Sequence, residues 1–129
     1  VCDVDIRKLV DFHQSHGKIA TLTSVLLHPS KGVLRIDGAN AVRSFREKSK
    51  QDREPINAGY MVLEPVIFDY LTGDACIFEQ EPLERLAKEG ELMSYRHEGF
   101  WQCMDTKLEH VQLEDMWAKG NAPWKMWRD

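Results

Sequence analysis

The sequence lacks the features that mark several large classes of protein. It has no apolar run long enough to cross a bilayer, and no signal peptide is recognisable. Its formal net charge is −4 and its pI is near 5.7, so it offers no basic surface for nucleic acid or for an anionic membrane. We therefore expect a cytoplasmic protein that binds neither nucleic acid nor membrane.

Cysteine is scarce, and the cysteines are not paired. Cys2, Cys76 and Cys103 are far apart and form no C-x-x-C motif, so neither a zinc ribbon nor a disulfide framework is indicated. The five histidines show neither H-x-x-H nor H-E-x-x-H spacing, which argues against a metal site built from histidines. We expect three reduced thiols.

The residues that are present predict an α/β fold in one domain over 1–129. The chain begins with Val1 rather than Met and runs almost at once into a helix, so we interpret it as a fragment of a longer protein. Hydrophobic periodicity and turn residues give the expected order of elements. These are a helix from Asp3 or Asp5 to Gly17, a strand buried on both faces (18–27), a hairpin around Asp37-Gly38, a polar loop (48–55), a strand ended by Pro65 (56–65), a short helix (66–71), a helix begun by Pro82 and stopped by Gly90, a strand (92–97) and a helix over 106–118.

Two positions between the predicted strands have side chains suited to a polar ligand. Glu47 and Lys48 lie where a strand gives way to the polar loop, and they could hold a hydroxyl and a phosphate, or simply be solvated. Asn57 and Gly59 lie within the next strand. There the amide could face a ligand or bond its own turn, and the glycine could mark a close approach.

Asp105 is an acid that the helix pattern around it does not require. Thr106 and Glu109 already form a Thr-x-x-Glu capping box for the last helix. Asp105 could interact with the helix dipole only. Its bulky neighbours Trp101 and Met104 predict partial desolvation, and a desolvated carboxylate could be a ligand for a divalent cation.

Tryptophan is concentrated near the carboxyl end of the sequence. Without a basic surface, these side chains are better interpreted as core packing or as a subunit contact than as a platform for bases. We expect the Trp-rich tail to contribute to a homo-oligomer. The four tryptophans are Trp101, Trp117, Trp124 and Trp127.

Several motifs together resemble one enzyme family. "VRSFREKSK", "INAGYMVLEP", "FWQCMDT" and "GNAPWK" are similar to the carboxyl-terminal half of sugar-phosphate nucleotidyltransferases, most closely to their cytidylyltransferase branch. The resemblance implies half of a Rossmann-like mixed sheet (GT-A-like) flanked by helices, with a hairpin excursion and a C-terminal helix. It also implies transfer of a cytidylyl group from CTP to glucose 1-phosphate with Mg²⁺, giving CDP-glucose for surface polysaccharide.

The resemblance also assigns roles to residues. Asp105 matches a metal-binding aspartate, Lys48 the lysine that holds the sugar phosphate, and Glu47 an acid that accepts hydrogen bonds from glucose hydroxyls. The strand residues that back the hexose in the family match Asn57, Ala58 and Gly59. Lys48 and Asp105 would be the catalytic residues.

The sequence departs from the family pattern in three ways. Ser49 replaces the usual proline after Lys48, and "LLHPSKG" lacks an expected arginine-containing run. The nucleotide-binding half of the family, with its first metal aspartate, is absent, so we expect the chain alone to be inactive. Transfer of a thymidylyl, uridylyl or guanylyl group, or a non-catalytic scaffold, remains an alternative.

Overall fold

The computed structural model describes residues 1–27, 33–46 and 54–127. Within them the chain forms three α-helices, one 3₁₀ helix and five strands, a mixed α/β fold that confirms the predicted class. The elements are α1 (Ile6–His16), β1 (Ala20–Leu27), β2 (Val33–Ile36), β3 (Val42–Arg46), β4 (Glu54–Leu63), a 3₁₀ helix (Pro65–Tyr70), α2 (Glu81–Lys88), β5 (Leu92–Arg96) and α3 (Lys107–Ala118).

Helix α1 has the boundaries that its flanking residues predict. The Asp5 side chain accepts a hydrogen bond from the backbone N–H of Lys8, which satisfies one of the free N–H groups of the first turn. Gly17 ends the helix with φ 64°, a left-handed conformation that glycine adopts without steric cost.

Strand β1 is the centre of a three-stranded sheet. It pairs antiparallel with β4 and parallel with β5, and five of its eight residues are buried. The prediction of a strand buried on both faces is therefore confirmed. Strands β2 and β3 form a separate antiparallel hairpin, as Asp37-Gly38 predicts.

Element boundaries differ slightly from the predictions. Strand β4 begins at Glu54, inside the segment expected to be a polar loop, and Pro82 is the second residue of α2 rather than the first. The short helix after β4 is a 3₁₀ helix that begins at Pro65. Hydrogen-bonded pairing with β1 explains the longer β4, because Glu54 and Pro55 lie opposite Leu27 and Leu26.

The main hydrophobic core lies between β1, the 3₁₀ helix and α2. Leu86 and Ala20 are completely buried there, and Ile67, Tyr70 and Leu83 pack around them. On α1, the buried His13 bonds Thr21 Oγ1 through Nδ1 at 2.8 Å and Glu64 Oε1 through Nε2 at 3.0 Å.

Most of the large apolar residues of α3 are exposed. Leu108 is 66% exposed, Val111 53% and Trp117 48%, while Leu113 is the buried residue of the helix. The apolar residues are spread around α3 and form no distinct apolar face. No helix in the described part of the chain is long and apolar enough to cross a membrane.

Candidate functional site

Strand β4 is irregular at the residues expected to back a sugar. Leu22 of β1 pairs with Met61, but Ser24, two residues later, pairs with Asn57, so β4 carries extra residues between the two pairs. Ala58 and Gly59 lie in this bulge. Such a bulge turns side chains and backbone groups away from the regular ladder.

Hydrogen bonds explain the shape of the bulge. Oδ1 of Asn57 accepts a bond from the backbone N–H of Gly59 at 2.9 Å, so this amide does bond its own turn. Gly59 has φ 89°, which a residue with a Cβ rarely adopts. A Cβ at residue 59 would meet no atom of the described residues within 4 Å. The glycine is therefore required by backbone conformation, not by a close approach of another described segment.

Trp101 connects this bulge to the segment that carries Asp105. Its indole Nε1 donates a hydrogen bond to the carbonyl oxygen of Ala58 at 3.0 Å. Ala58 is itself buried, so this carbonyl depends on a protein partner. The contact holds two of the predicted site segments in one region of the molecule.

Asp105 lies in a turn organised by the carboxylate of Glu109. Oε2 of Glu109 accepts hydrogen bonds from the backbone N–H groups of Asp105 and Thr106, both at 2.9 Å. Thr106 Oγ1 accepts in return from the backbone N–H of Glu109 at 3.2 Å, which completes the predicted capping box. Glu109 thereby fixes the backbone from which the Asp105 side chain projects.

The same carboxylate is held strongly in its ionised form. The Cys103 thiol donates to Oε1 of Glu109 at 3.1 Å. This bond, with those from Thr106 and from the backbone of Asp105, lowers the pKa of Glu109 from 4.5 to about 2. The bond to Glu109 correspondingly raises the pKa of the Cys103 thiol, with burial as a smaller cause.

Asp105 itself is exposed, so the predicted desolvation of its carboxylate is wrong. Met104 does not cover it, because Met104 is 56% exposed and points an apolar side chain to solvent. Within residues 1–27, 33–46 and 54–127, no hydrogen bond or ion pair engages the Asp105 carboxylate. Neither of its oxygens is therefore occupied by a residue of the described part of the chain.

The other half of the predicted site cannot be placed. Glu47 and Lys48 lie outside the described residues, as does Ser49. The roles assigned to Glu47, Lys48, Asn57, Ala58, Gly59 and Asp105 stay predictions.

One group of chemically suitable residues was missed by sequence reasoning. Cys2, Asp3 and His97 each place one sulfur, oxygen or nitrogen ligand atom within 4.8 Å of the others. More than ninety positions separate Asp3 from His97, so local spacing carries no signal of this proximity. A cavity of about 460 Å³ adjoins His97 and is lined also by Gly99, Trp101 and the end of β1.

Comparison with known proteins shows that the chain is similar to glucose-1-phosphate cytidylyltransferases. It is 51% identical over 127 residues to the glucose-1-phosphate cytidylyltransferase of Salmonella typhi, covering 98% of this chain and 49% of that protein. It is 39% identical over 128 residues to a probable glucose-1-phosphate cytidylyltransferase of Bacillus subtilis, covering 98% and 50%. The chain thus spans about half the length of the curated relatives it matches, and the predicted resemblance is confirmed. No family model matches the chain.

Solved structures support the predicted fold class. The structure of HddC from Yersinia pseudotuberculosis superposes with a TM-score of 0.61 at 20% identity, covering 90% of this chain and 51% of that one. A structure assigned as a glucose-1-phosphate thymidylyltransferase from Bacillus anthracis gives 0.57 at 18% identity, covering 98% and 51%. At these identities the likeness concerns the fold alone, and it confirms the predicted α/β class.

Proposed function

We propose that this chain, similar to glucose-1-phosphate cytidylyltransferases along almost all of its length, forms the sugar-phosphate side of such an enzyme. The parent protein would transfer a cytidylyl group from CTP to glucose 1-phosphate, giving CDP-glucose and pyrophosphate. The observation that carries the proposal is the 51% identity over 98% of the chain.

The geometry around Asp105 supports a role in this reaction. Glu109 fixes the backbone of the turn, and the Asp105 carboxylate is exposed without a protein partner in the described part of the chain. This donor suits Mg²⁺, which is usually held by one or two carboxylates together with water and phosphate oxygens. When bound, Mg²⁺ would offset the negative charge that develops on the phosphate oxygens.

The bulge of β4 is suited to binding the sugar. Oδ1 of Asn57 is occupied by the N–H of Gly59, which leaves the Nδ2 group as a donor for a sugar hydroxyl. By motif, Glu47 would accept hydrogen bonds from other hydroxyls, and the Lys48 ammonium would hold the phosphate. Trp101 would keep the Asn57–Gly59 segment in register with Asp105 through its bond to Ala58.

These residues would act by positioning. An oxygen of the sugar phosphate attacks the α-phosphorus of CTP in line, the new P–O bond forms, and the bond to the pyrophosphate group breaks. Catalysis of phosphoryl-group transfer depends mainly on alignment and on charge stabilisation, so correctly placed Lys48, Glu47 and Asp105 side chains are what the chain must supply.

The test is release of pyrophosphate by the full-length parent protein. It would be given glucose 1-phosphate, Mg²⁺ and one of CTP, UTP, dTTP or GTP. We expect turnover with CTP, and a loss of at least about a hundredfold in kcat for Asp105→Asn because a ligand to the charged transition state is removed. Asp69→Asn, which changes an exposed acid of the 3₁₀ helix, is the matched control and should leave turnover unchanged.

Other outcomes of this assay identify the alternatives. Turnover led by dTTP, UTP or GTP would assign the parent to a sister activity and leave the residue roles intact. Absence of turnover with all four nucleotides would favour a non-catalytic scaffold. The 129-residue chain alone is expected to be inactive in the same assay.

Four finer assignments belong to the same proposal. They are Mg²⁺ as the cofactor, the cytoplasm as the location, supply of CDP-glucose for surface polysaccharide such as O antigen, and assembly as a homo-oligomer. The exposed Trp117 and Trp127 rings, whose centroids are 6.3 Å apart, support the Trp-rich tail as the subunit contact.

A further inference from the structure

Residues 1–3 pair with residues 100–102, which follow β5. Cys2 forms an antiparallel bridge with Trp101, and the carbonyl of Val1 accepts a hydrogen bond from the backbone N–H of Gln102 at 3.0 Å. The backbone N–H of Asp3 donates to the carbonyl of Phe100 at 3.2 Å. This pairing brings Cys2 and Asp3 beside the loop that follows β5.

His97 begins that loop and completes a three-residue cluster. Its Nε2 lies 2.8 Å from Asp3 Oδ1, and the ligand atoms of Cys2, Asp3 and His97 are all within 4.8 Å of one another. The Cys2 residue is buried, and the side chain of His97 is only 11% exposed. The cluster is thus largely shielded from solvent.

Gly99 allows the backbone to pass close against this cluster. A Cβ at residue 99 would lie 2.8 Å from Cε1 and 2.9 Å from Nε2 of His97, and it would also collide with Oδ1 of Asp3. Distances this short do not occur for real Cβ atoms, so any side chain at residue 99 would displace His97 or Asp3. The fold therefore holds the two side chains in a fixed arrangement.

We propose that Cys2, Asp3 and His97 form a binding site for a single zinc-like divalent cation, with water from the adjoining cavity as the fourth ligand. Thiolate, imidazole and carboxylate are the ligands that Zn²⁺ takes in proteins, in tetrahedral geometry. The cavity beside His97 provides both an entry path and space for the water. The cation would fasten residues 1–3 to the loop at 97–102.

The separations between the three ligand atoms are close to those in a tetrahedral zinc site. Zinc–ligand bonds of about 2.0–2.3 Å place neighbouring ligand atoms about 3.3–3.6 Å apart in a tetrahedron. The 2.8 Å between Asp3 Oδ1 and His97 Nε2 would lengthen to this range, and the Cys2 sulfur already lies within 4.8 Å of both atoms. In the cation-free chain Nε2 of His97 also lies 3.2 Å from the carbonyl oxygen of Phe100. On binding, the Cys2 thiol gives up its proton to solvent, and the imidazole carries its proton on Nδ1, so that Nε2 leaves these hydrogen bonds and coordinates.

This site differs in chemistry from the magnesium site proposed at Asp105. Mg²⁺ prefers oxygen ligands and an octahedral arrangement, whereas sulfur and imidazole ligands select zinc-like cations. The inference does not rest on the proposed enzymatic function, and its test requires no turnover.

The experiment is a titration of the reduced, chelator-treated chain with Co²⁺, which reports thiolate coordination by a charge-transfer band in the near ultraviolet. We expect the band to saturate at one Co²⁺ per chain, to disappear when Zn²⁺ is added, and to persist in excess Mg²⁺. Cys2→Ser should abolish it, while Cys103→Ser, the matched control, should retain it because Cys103 bonds Glu109 instead.

Two further measurements keep the test decisive if Cys2→Ser fails to fold. Asp3→Asn and His97→Gln should each weaken Co²⁺ binding by more than about tenfold, since loss of even an outer-shell partner has that effect. In the unsubstituted chain, Zn²⁺ should protect Cys2 from alkylation, as measured by mass spectrometry of the peptides. Absence of the band, its survival in Cys2→Ser, or its loss in excess Mg²⁺ would overturn the proposal.

Discussion

The indole Nε1 of Trp101 donates a hydrogen bond to the carbonyl oxygen of Ala58 at 3.0 Å, across 43 positions of sequence. This single contact joins the bulge of β4 to the segment that leads into α3. The segment also carries Asp105, and the bulge carries Asn57. The relative position of the two therefore depends partly on one tryptophan.

Replacing Trp101 by Phe keeps the ring but removes the donor. We expect the free energy of unfolding to fall by about 1–2 kcal/mol, because the buried carbonyl of Ala58 loses its partner. Urea titration followed by circular dichroism measures this. Phe68→Leu is the control, since Phe68 is 72% exposed, and it should stay within about 0.5 kcal/mol of the unsubstituted chain. Equal effects of the two substitutions would contradict the role given to the Ala58 bond.

Thr106→Ala removes the N-cap of α3. Its hydroxyl accepts from the backbone N–H of Glu109, so we expect a loss of about 1 kcal/mol in unfolding free energy. Thr72→Ala, at an exposed loop position, is the matched control and should have little effect. If the two variants unfold at the same denaturant concentration, the cap does not stabilise the fold.

The carboxylate of Glu109 should make stability depend on pH in acid. Its pKa in the folded chain is about 2, below the usual 4.5, because the Cys103 thiol and Thr106 donate to it. Because this pKa is lower in the folded chain, the ionised Glu109 carboxylate contributes its full stabilisation above pH 4.5. That contribution is lost as the pH falls from 4.5 towards 2. The difference in thermal midpoint between the unsubstituted chain and Glu109→Gln should therefore be constant near neutral pH and shrink in that window. A difference that stays constant down to about pH 2.5 would contradict this assignment.

Two leucines, one in the packed core and one exposed on α3, should respond differently to replacement by alanine. Leu86 is completely buried, so Leu86→Ala should lower the unfolding free energy by about 2–5 kcal/mol. Leu108 is 66% exposed, and Leu108→Ala should change it by less than about 0.5 kcal/mol. Chemical denaturation of both variants measures the contrast. A large loss for Leu108→Ala would mean that the face of α3 is covered in solution.

Local features of the fold were predictable because they depend on neighbouring residues. The cap at Asp5, the stop at Gly17 and the capping box of Thr106 with Glu109 are set by side chains within four positions of the backbone groups they satisfy. The double-sided burial of β1 was equally predictable, because β-branched and aliphatic residues fall at both odd and even positions of the strand.

Features that depend on distant parts of the chain were not predictable in this way. The sequence of α3 could not reveal that Leu108 lies exposed while Leu113 is buried, because burial requires a partner surface. The desolvation expected for Asp105 failed for the same reason. The cluster of Asp3 with His97 arises from pairing between residues 1–3 and residues 100–102, which no local pattern encodes.

The central position of β1 also bears on the order in which the chain folds. Ala20 of this strand pairs with Leu63 on one side and with Leu92 on the other, and neither partner is near in sequence. Closing such long loops costs conformational entropy before any contact compensates for it. We therefore expect α1 and the β2–β3 hairpin to form early, and the arrival of β4 and β5 at β1 to set the overall rate of refolding.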